Sequence, residues 1–210
     1  MRKSVLAGAL IAIGALFSLT AREYGLVVQG LCFSVGLFGV MCSGASLFTG
    51  NVLGSADVMD ARGRDAKLDE LGILCTRLAQ TWLFNLMGSL VVAACAYAMG
   101  FDVASAVAAK SSMPWAEMVV RSALCNVLVC LAVWTFRHSD KSPIDALASC
   151  VLPVACFVAC GFEHCVADML YMPLGFMQGA TTVLDCVRVI GLATLGNVVG
   201  GVAFTWLAKR

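Results

Sequence analysis

Glu163 and His164 stand side by side, directly after Gly161-Phe162 and inside an otherwise apolar run. An ionisable pair is costly to place in an apolar interior, so its presence marks a candidate site. Burial favours a neutral imidazole and a neighbouring carboxylate favours a charged one. Residue types alone leave both forms open. Such a pair could exchange a proton with a small anion or capture the anion electrostatically. The competing reading is that His164 is a hydrogen-bonded core residue and Glu163 anchors a helix end. The other histidine, His138, follows Arg137 in a basic connection and reads as solvated.

Eleven cysteines raise the question of metal or redox chemistry. Their number is odd, no Cys-x-x-Cys pair occurs, and nearly all fall within apolar runs. They read as small buried hydrophobes, with no disulfide framework and no metal site. Met41, Met113, Met118, Met169, Met172 and Met177 read as packing. No cofactor is implied. No nucleophile–base pair or metal-ligand spacing is visible, so an enzyme is not expected. A net charge of +1 without a basic cluster argues against nucleic-acid binding.

The elements that hold Glu163-His164 must be membrane spans. Hydrophobic residues make up 60% of the 210 and charged residues 13%, against about a quarter charged in an average soluble domain. Lipid has to cover part of that apolar surface. Six apolar segments stand out, at Val5–Leu19, Leu26–Ser43, Trp82–Met99, Met118–Phe136, Ala146–Cys160 and Val183–Leu207. A span takes about 20 helical residues, so the third is expected to begin earlier, near Leu71. The first is short, and a truncated chain start is expected. Met1-Arg2-Lys3 before an apolar run imitates a cleavable signal, but no Ala-x-Ala site follows, and the run is read as the first span.

Loop charges set the orientation. With the N-terminus in the cytoplasm, the inner side holds Arg2, Lys3, Arg62, Arg64, Lys67, Arg77, Arg137, Lys141, Lys209 and Arg210. Only Arg22, Lys110, Arg121 and Arg188 remain for the outside. A multi-pass protein of the cell membrane with both termini cytoplasmic is expected. Asp57–Arg77 reads as a solvated cytoplasmic loop, and Phe101–Pro114 as an outer loop closed by a helix start at Pro114-Trp115.

The chain also reads as doubled, over roughly 1–100 and 115–210. Segment two runs into Gly44-Ala45-Ser46-Leu47-Phe48-Thr49-Gly50-Asn51, and segment five into Gly161-Phe162-Glu163-His164-Cys165-Val166-Ala167-Asp168. Segment three carries Asn85-Leu86-Met87-Gly88-Ser89, and segment six Asn197-Val198-Val199-Gly200-Gly201. Halves of three spans each have opposite topology, and inverted repeats with broken helices mark a binding site at the breaks. Irregular backbone is tolerated there only around protein or a cavity. A half-helix start offers N–H groups and a positive dipole end to an anion. Leu37, Leu47, Phe48 and Phe157, beside the breaks, are candidates for a dry constriction.

Gly30-Leu31-Cys32-Phe33-Ser34-Val35-Gly36-Leu37, the two break stretches, Leu152-Pro153-Val154-Ala155-Cys156-Phe157 and Gly196-Asn197-Val198-Val199-Gly200-Gly201 together resemble the formate/nitrite transporter family along essentially the whole chain. The resemblance implies one domain over 1–210: an all-α, aquaporin-like protomer of six spans with helices 2 and 5 broken, in a homopentamer. Each protomer would carry its own pore for formate, nitrite or hydrosulfide. It implies that His164 is the central histidine, that Thr49 lies in the opposite break, and that Asn197 lies near the histidine. It also implies that Phe33, Leu37, Leu47, Phe48 and Phe157 line the constriction.

The chain departs from the family pattern in three places. An amphipathic N-terminal helix and a lysine before the first span are missing, with Arg2 and Lys3 nearest to that role. A second lysine would fall near Asp145-Ala146, where Lys141 is close but offset. Ser46 stands where many members carry an acid. The family's anion-attracting lysines therefore have no direct counterpart.

A bare anion is strongly penalised in a dry constriction, and its neutral acid far less. The expected function is passage of weak-acid anions together with protons, linked through His164. Thr49 and Asn197 would orient donor and substrate, and Glu163 would stand beside the path. A charged His164 that binds the anion without proton transfer is the variant mechanism. The alternative function is a neutral-solute channel for water or glycerol, but the Asn-Pro-Ala breaks of such channels are absent.

Overall fold

The computed structural model describes residues 1–209, and Arg210, counted above among the inner cations, lies outside the described residues. In lipid every backbone N–H and C=O must be satisfied within its own segment, which makes a long apolar run helical. Ten α-helices follow in order: α1 (Arg2–Thr20), α2 (Leu26–Ser43), α3 (Phe48–Asn51), α4 (Ser55–Asp60), α5 (Arg64–Ala98), α6 (Ala104–Ser112), α7 (Trp115–Arg137), α8 (Pro143–Ala159), α9 (Cys165–Met177) and α10 (Val183–Ala208). Two 3-10 turns, Arg22–Tyr24 and Val52–Gly54, join neighbours. No strand occurs among the described residues. Five helices, α1, α2, α5, α7 and α10, are long and apolar enough to cross a membrane, and α8 and α9 are shorter apolar helices.

Three expectations change. The stretch 57–77, read as a loop, is largely helical, because α5 begins at Arg64 and runs for 35 residues. At about 1.5 Å per residue it is roughly 52 Å long, well beyond a hydrocarbon layer of about 30 Å. No proline interrupts it, and Lys67, Leu68, Glu70 and Leu71 are good helix formers in water as in lipid. The outer stretch 101–114 likewise holds α6, rich in alanine. The cysteines divide: Cys125, Cys130, Cys150 and Cys165 are buried, whereas Cys42, Cys75, Cys95, Cys156 and Cys160 are exposed on the protomer. The outward face of a span needs to be apolar but need not be buried within its own chain.

Lipid supplies no hydrophobic force between helices, so close backbone packing has to hold them. Glycines allow it. A Cβ on Gly88 of α5 would stand 2.0 Å from the carbonyl oxygen of Val5 on α1, and a Cβ on Gly200 of α10 would stand 1.9 Å from that of Ala123 on α7. Gly30 of α2 meets the backbone of Ala155 on α8 in the same way, 2.5 Å from its Cα. The two ends of the bundle keep the charge split. At one end Lys209 Nζ donates to the carbonyl of Ala56 at 2.6 Å, and Lys3 reaches towards Gly44. At the other end Arg22 donates to Ser105 Oγ at 3.2 Å.

Gly200→Ala is expected to push α7 off α10 and lower the unfolding temperature in detergent by the equivalent of about 1–3 kcal/mol. Gly72→Ala, where a Cβ would meet nothing within 4 Å, should leave the unfolding temperature unchanged or raise it slightly.

Candidate functional site

The two breaks are built alike. Gly44 ends α2 at φ 60°, and Gly161 follows α8 at φ 64°. Residues with a Cβ resist this left-handed turn, which closes a helix by turning the next N–H back on it. Ala45 N–H donates to Val40 O at 3.0 Å, and Phe162 N–H to Phe157 O at 2.9 Å. Leu47 and His164 are then extended, and helix resumes at Phe48 and at Cys165. Ser46 and Leu47 thus occupy in the first break the places that Glu163 and His164 occupy in the second.

Two asparagines close these breaks with matching hydrogen bonds. Asn85 Oδ1 accepts from Phe48 N–H at 2.9 Å, while its Nδ2 donates to Ser4 O at 2.7 Å and Ser46 O at 3.1 Å. Asn197 Oδ1 accepts from Cys165 N–H at 2.9 Å, while its Nδ2 donates to Ser122 O at 2.7 Å and Glu163 O at 3.0 Å. Each asparagine therefore satisfies the first N–H of a half-helix, one carbonyl of the break and one of a neighbouring helix. The sequence reading placed Asn197 beside the substrate. Its amide is instead committed to backbone on both sides of His164. The leading N–H of each half-helix, expected to be free for an anion, is likewise taken. Asn126 ties the halves together, its Nδ2 donating to Thr49 O at 3.3 Å and to Asn197 O at 2.6 Å.

His164 lies within this frame, 3% exposed. Its Nε2 is 3.1 Å from Thr49 Oγ1, across the two breaks. Its Nδ1 accepts the N–H of Ala167 at 3.3 Å. With Nδ1 accepting, the ring hydrogen belongs on Nε2, directed at Thr49. The ring lies nearly parallel to Phe157 (centroids 6.1 Å apart, 15° between planes) and is approached by Phe33 at 6.5 Å. Phe33 and Phe157 meet edge to face at 5.4 Å.

These three rings bound one end of a cavity of about 180 Å³ whose walls include Arg22, Lys110, Glu163 and Tyr171. A second cavity of about 280 Å³ lies at the other end of the bundle, lined by Leu47, Gly50 and Asn51 and by the cations Arg137 and Lys141. Of the expected constriction residues, Phe33 and Phe157 border the smaller cavity and Leu47 the larger one. Leu37 and Phe48 are buried and line neither.

Sequence reasoning missed the partner of Glu163. Lys110 on α6 forms ion pairs with Glu163 and, at 2.8 Å, with Asp168 Oδ1. Burial by itself lowers the Lys110 amine, but the Asp168 and Glu163 carboxylates outweigh it and hold the amine above the usual lysine range. A buried glutamate calls for a cation, which was the available signal. Nothing in the spacing indicated that a lysine 53 residues earlier would supply it. The pairing of Arg137 and Lys141 in the wall of the larger cavity was also unforeseen. Lys141, at φ 59°, is the one non-glycine residue with positive φ among those described.

Apolar spans, two interrupted helices and a cavity bounded by two aromatic rings and one buried histidine define a multi-pass membrane protein of the channel and transporter class. The chain belongs to the formate/nitrite transporter family, whose model matches residues 1–209. It is similar to the formate channel FocA of Haemophilus influenzae, 30% identical over 93% of this chain and 80% of that one. It is 32% identical to the nitrite transporter NirC of Salmonella typhimurium, over 97% of this chain and 79% of that one. A solved pentameric formate channel with formate bound superposes with a TM-score of 0.82 at 26% identity, covering 99% of this chain and 93% of the other.

Asn197→Ala leaves Cys165 N–H, Glu163 O and Ser122 O without their partner, at about 1–3 kcal/mol for each buried group. A fall of several degrees in the unfolding temperature of the purified protein is expected, with Asn85→Ala behaving alike.

Proposed function

We propose that this chain forms a channel for small monovalent weak-acid anions, formate, nitrite or hydrosulfide, whose passage is linked to protons at His164. The relatives named above are formate and nitrite carriers, and the aligned pentamer supports a homopentamer with one pore in each protomer. We read the protomer as six spans in two inverted repeats, roughly 1–100 and 115–210, with helices 2 and 5 broken. The matched bonds of Asn85 and Asn197 support that repeat. The charge split supports a cell-membrane protein with both termini cytoplasmic. No reaction on the substrate is proposed, and no cofactor.

The observation that carries the reading is the position of His164. It sits beside two aromatic rings, in the wall of one cavity, with its Nε2–H directed across the breaks to Thr49. An anion reaching this end leaves water for a wall of rings. Desolvation raises the affinity of a weak-acid anion for a proton and favours the neutral acid there. The acid can then pass Thr49 and His164, which offer hydrogen bonds where both side chains are buried. In the inner cavity, Arg137 and Lys141 favour the anion again and draw the acid to give up its proton to water.

The neutral, Nε2–H form of His164 supports the proton-linked mechanism over a permanently charged histidine, because a second hydrogen on Nδ1 would confront the Ala167 N–H. Glu163 and Lys110 place opposite charges at the outer approach.

Uptake of the three competing anions into proteoliposomes, measured against pH, tests the proposal. Flux should rise as the outside is acidified. A flux indifferent to proton supply removes the proton link, and osmotic swelling by glycerol without anion flux replaces the reading with a neutral-solute channel. His164→Ala is expected to reduce anion flux about 10²-fold or more while the oligomer stays intact by size-exclusion chromatography. Near-normal flux in that variant takes His164 out of the mechanism.

A further inference from the structure

Lys110, Glu163 and Asp168 form a buried cluster with one ammonium and two carboxylates. The side chain of Asp168 is fully buried and that of Glu163 7% exposed. Asp168 belongs to the first turn of α9. Its Oδ1 lies 2.8 Å from Lys110 Nζ, and beyond that ion pair neither of its carboxyl oxygens has a hydrogen-bond partner among the described residues. Glu163 touches the same ammonium. The ring of Tyr171 lies 5.4 Å from Nζ. The other titratable groups around the cluster are His164, whose carbonyl accepts Asp168 N–H at 3.0 Å, the buried thiols Cys125 and Cys165, and Arg22 in the cavity wall.

Lys110 offsets one carboxylate only. With both ionised, the cluster would hold an uncompensated negative charge away from water, at a penalty of several kcal/mol. Two carboxyl groups that crowd one site avoid this by sharing a proton. Asp168 has no opening to a larger cation, since it is fully enclosed and borders neither cavity. Glu163, by contrast, lines the outer cavity.

We infer that the Glu163–Asp168 pair holds one exchangeable proton beside the outer cavity and delivers it to the anion arriving there. This deepens the transport reading above and rests on it, since it names the source of the proton. The carboxyl O–H bond breaks and its electron pair stays on the carboxylate. The proton forms a new bond to the anion, giving the neutral acid. Water in the outer cavity then restores the proton to the pair, and the acid releases its own proton to water on the inner side. One proton thus accompanies each anion. His164, with Nε2–H directed to Thr49 and Nδ1 engaged by Ala167, receives the acid already formed and passes it on by hydrogen bonds, so its link to protons is the admission of the protonated substrate.

Infrared spectroscopy of the wild-type oligomer in lipid at neutral pH tests the held proton directly. A protonated-carboxyl C=O stretch that shifts in heavy water is expected, lost in Asp168→Asn and in Glu163→Gln and restored in Asp168→Glu. Absence of that band from the wild type overturns the inference, whatever the variants do. Delivery is tested by formate uptake into proteoliposomes. The ratio of wild-type to Asp168→Asn rates should lie near one in acidic medium, where the bulk acid is abundant, and grow to about 10²-fold in alkaline medium. A ratio that does not change with pH overturns delivery. A wild type that shows the band yet carries no anion at any pH overturns the transport reading and delivery with it, and leaves the held proton standing.

Discussion

A helix can be interrupted inside a membrane only if something other than water satisfies the backbone groups that the interruption frees. That constraint governs this protein. Each break exposes a leading N–H and a loop carbonyl, and one asparagine satisfies both while gripping a carbonyl of the adjacent helix. The open space beside the breaks depends on those two amides. Without them the economical solution would be a continuous helix, and a continuous helix leaves no end at which His164 could meet Thr49.

The asparagines work only because the helices carrying them lie almost in backbone contact with their neighbours. Gly88 and Gly200 stand three residues after Asn85 and Asn197, and each admits the backbone of the helix that supplies the third hydrogen-bond partner. Close approach and polar closure thus belong to one device, used twice. The halves differ in what the extended residue presents. Leu47 adds an apolar wall, whereas His164 adds a titratable ring, bounded by Phe33 and Phe157.

Charge is arranged around that dry centre. The larger cavity carries Arg137 and Lys141 in its wall. The smaller cavity carries Arg22 and Lys110, but Lys110 is already engaged by two carboxylates. The two cavities therefore differ in electrostatics, with two cations in the wall of one and a carboxyl-rich cluster beside the other.

Much of this was legible in the residues. Apolar segments of membrane length, the glycine-led breaks at Gly44 and Gly161, the recurring Asn-x-x-Gly and the isolated Glu163-His164 pair determined the class of fold and the broken helices and marked the candidate site, because each is a local signal set by the neighbours of a residue in the chain. Where one local pattern fits two environments, the reading failed. Charged, helix-forming residues from Arg64 onward serve a solvated helix as well as a loop, and an apolar cysteine serves an outward face as well as a core. Tertiary structure alone decided that Asn197 grips backbone, that Thr49 reaches the His164 ring from a half-helix 115 residues away, and that Lys110 joins Glu163 to Asp168. Those contacts link side chains from separate helices, and their distances follow from how the helices cross, which no spacing along the chain encodes.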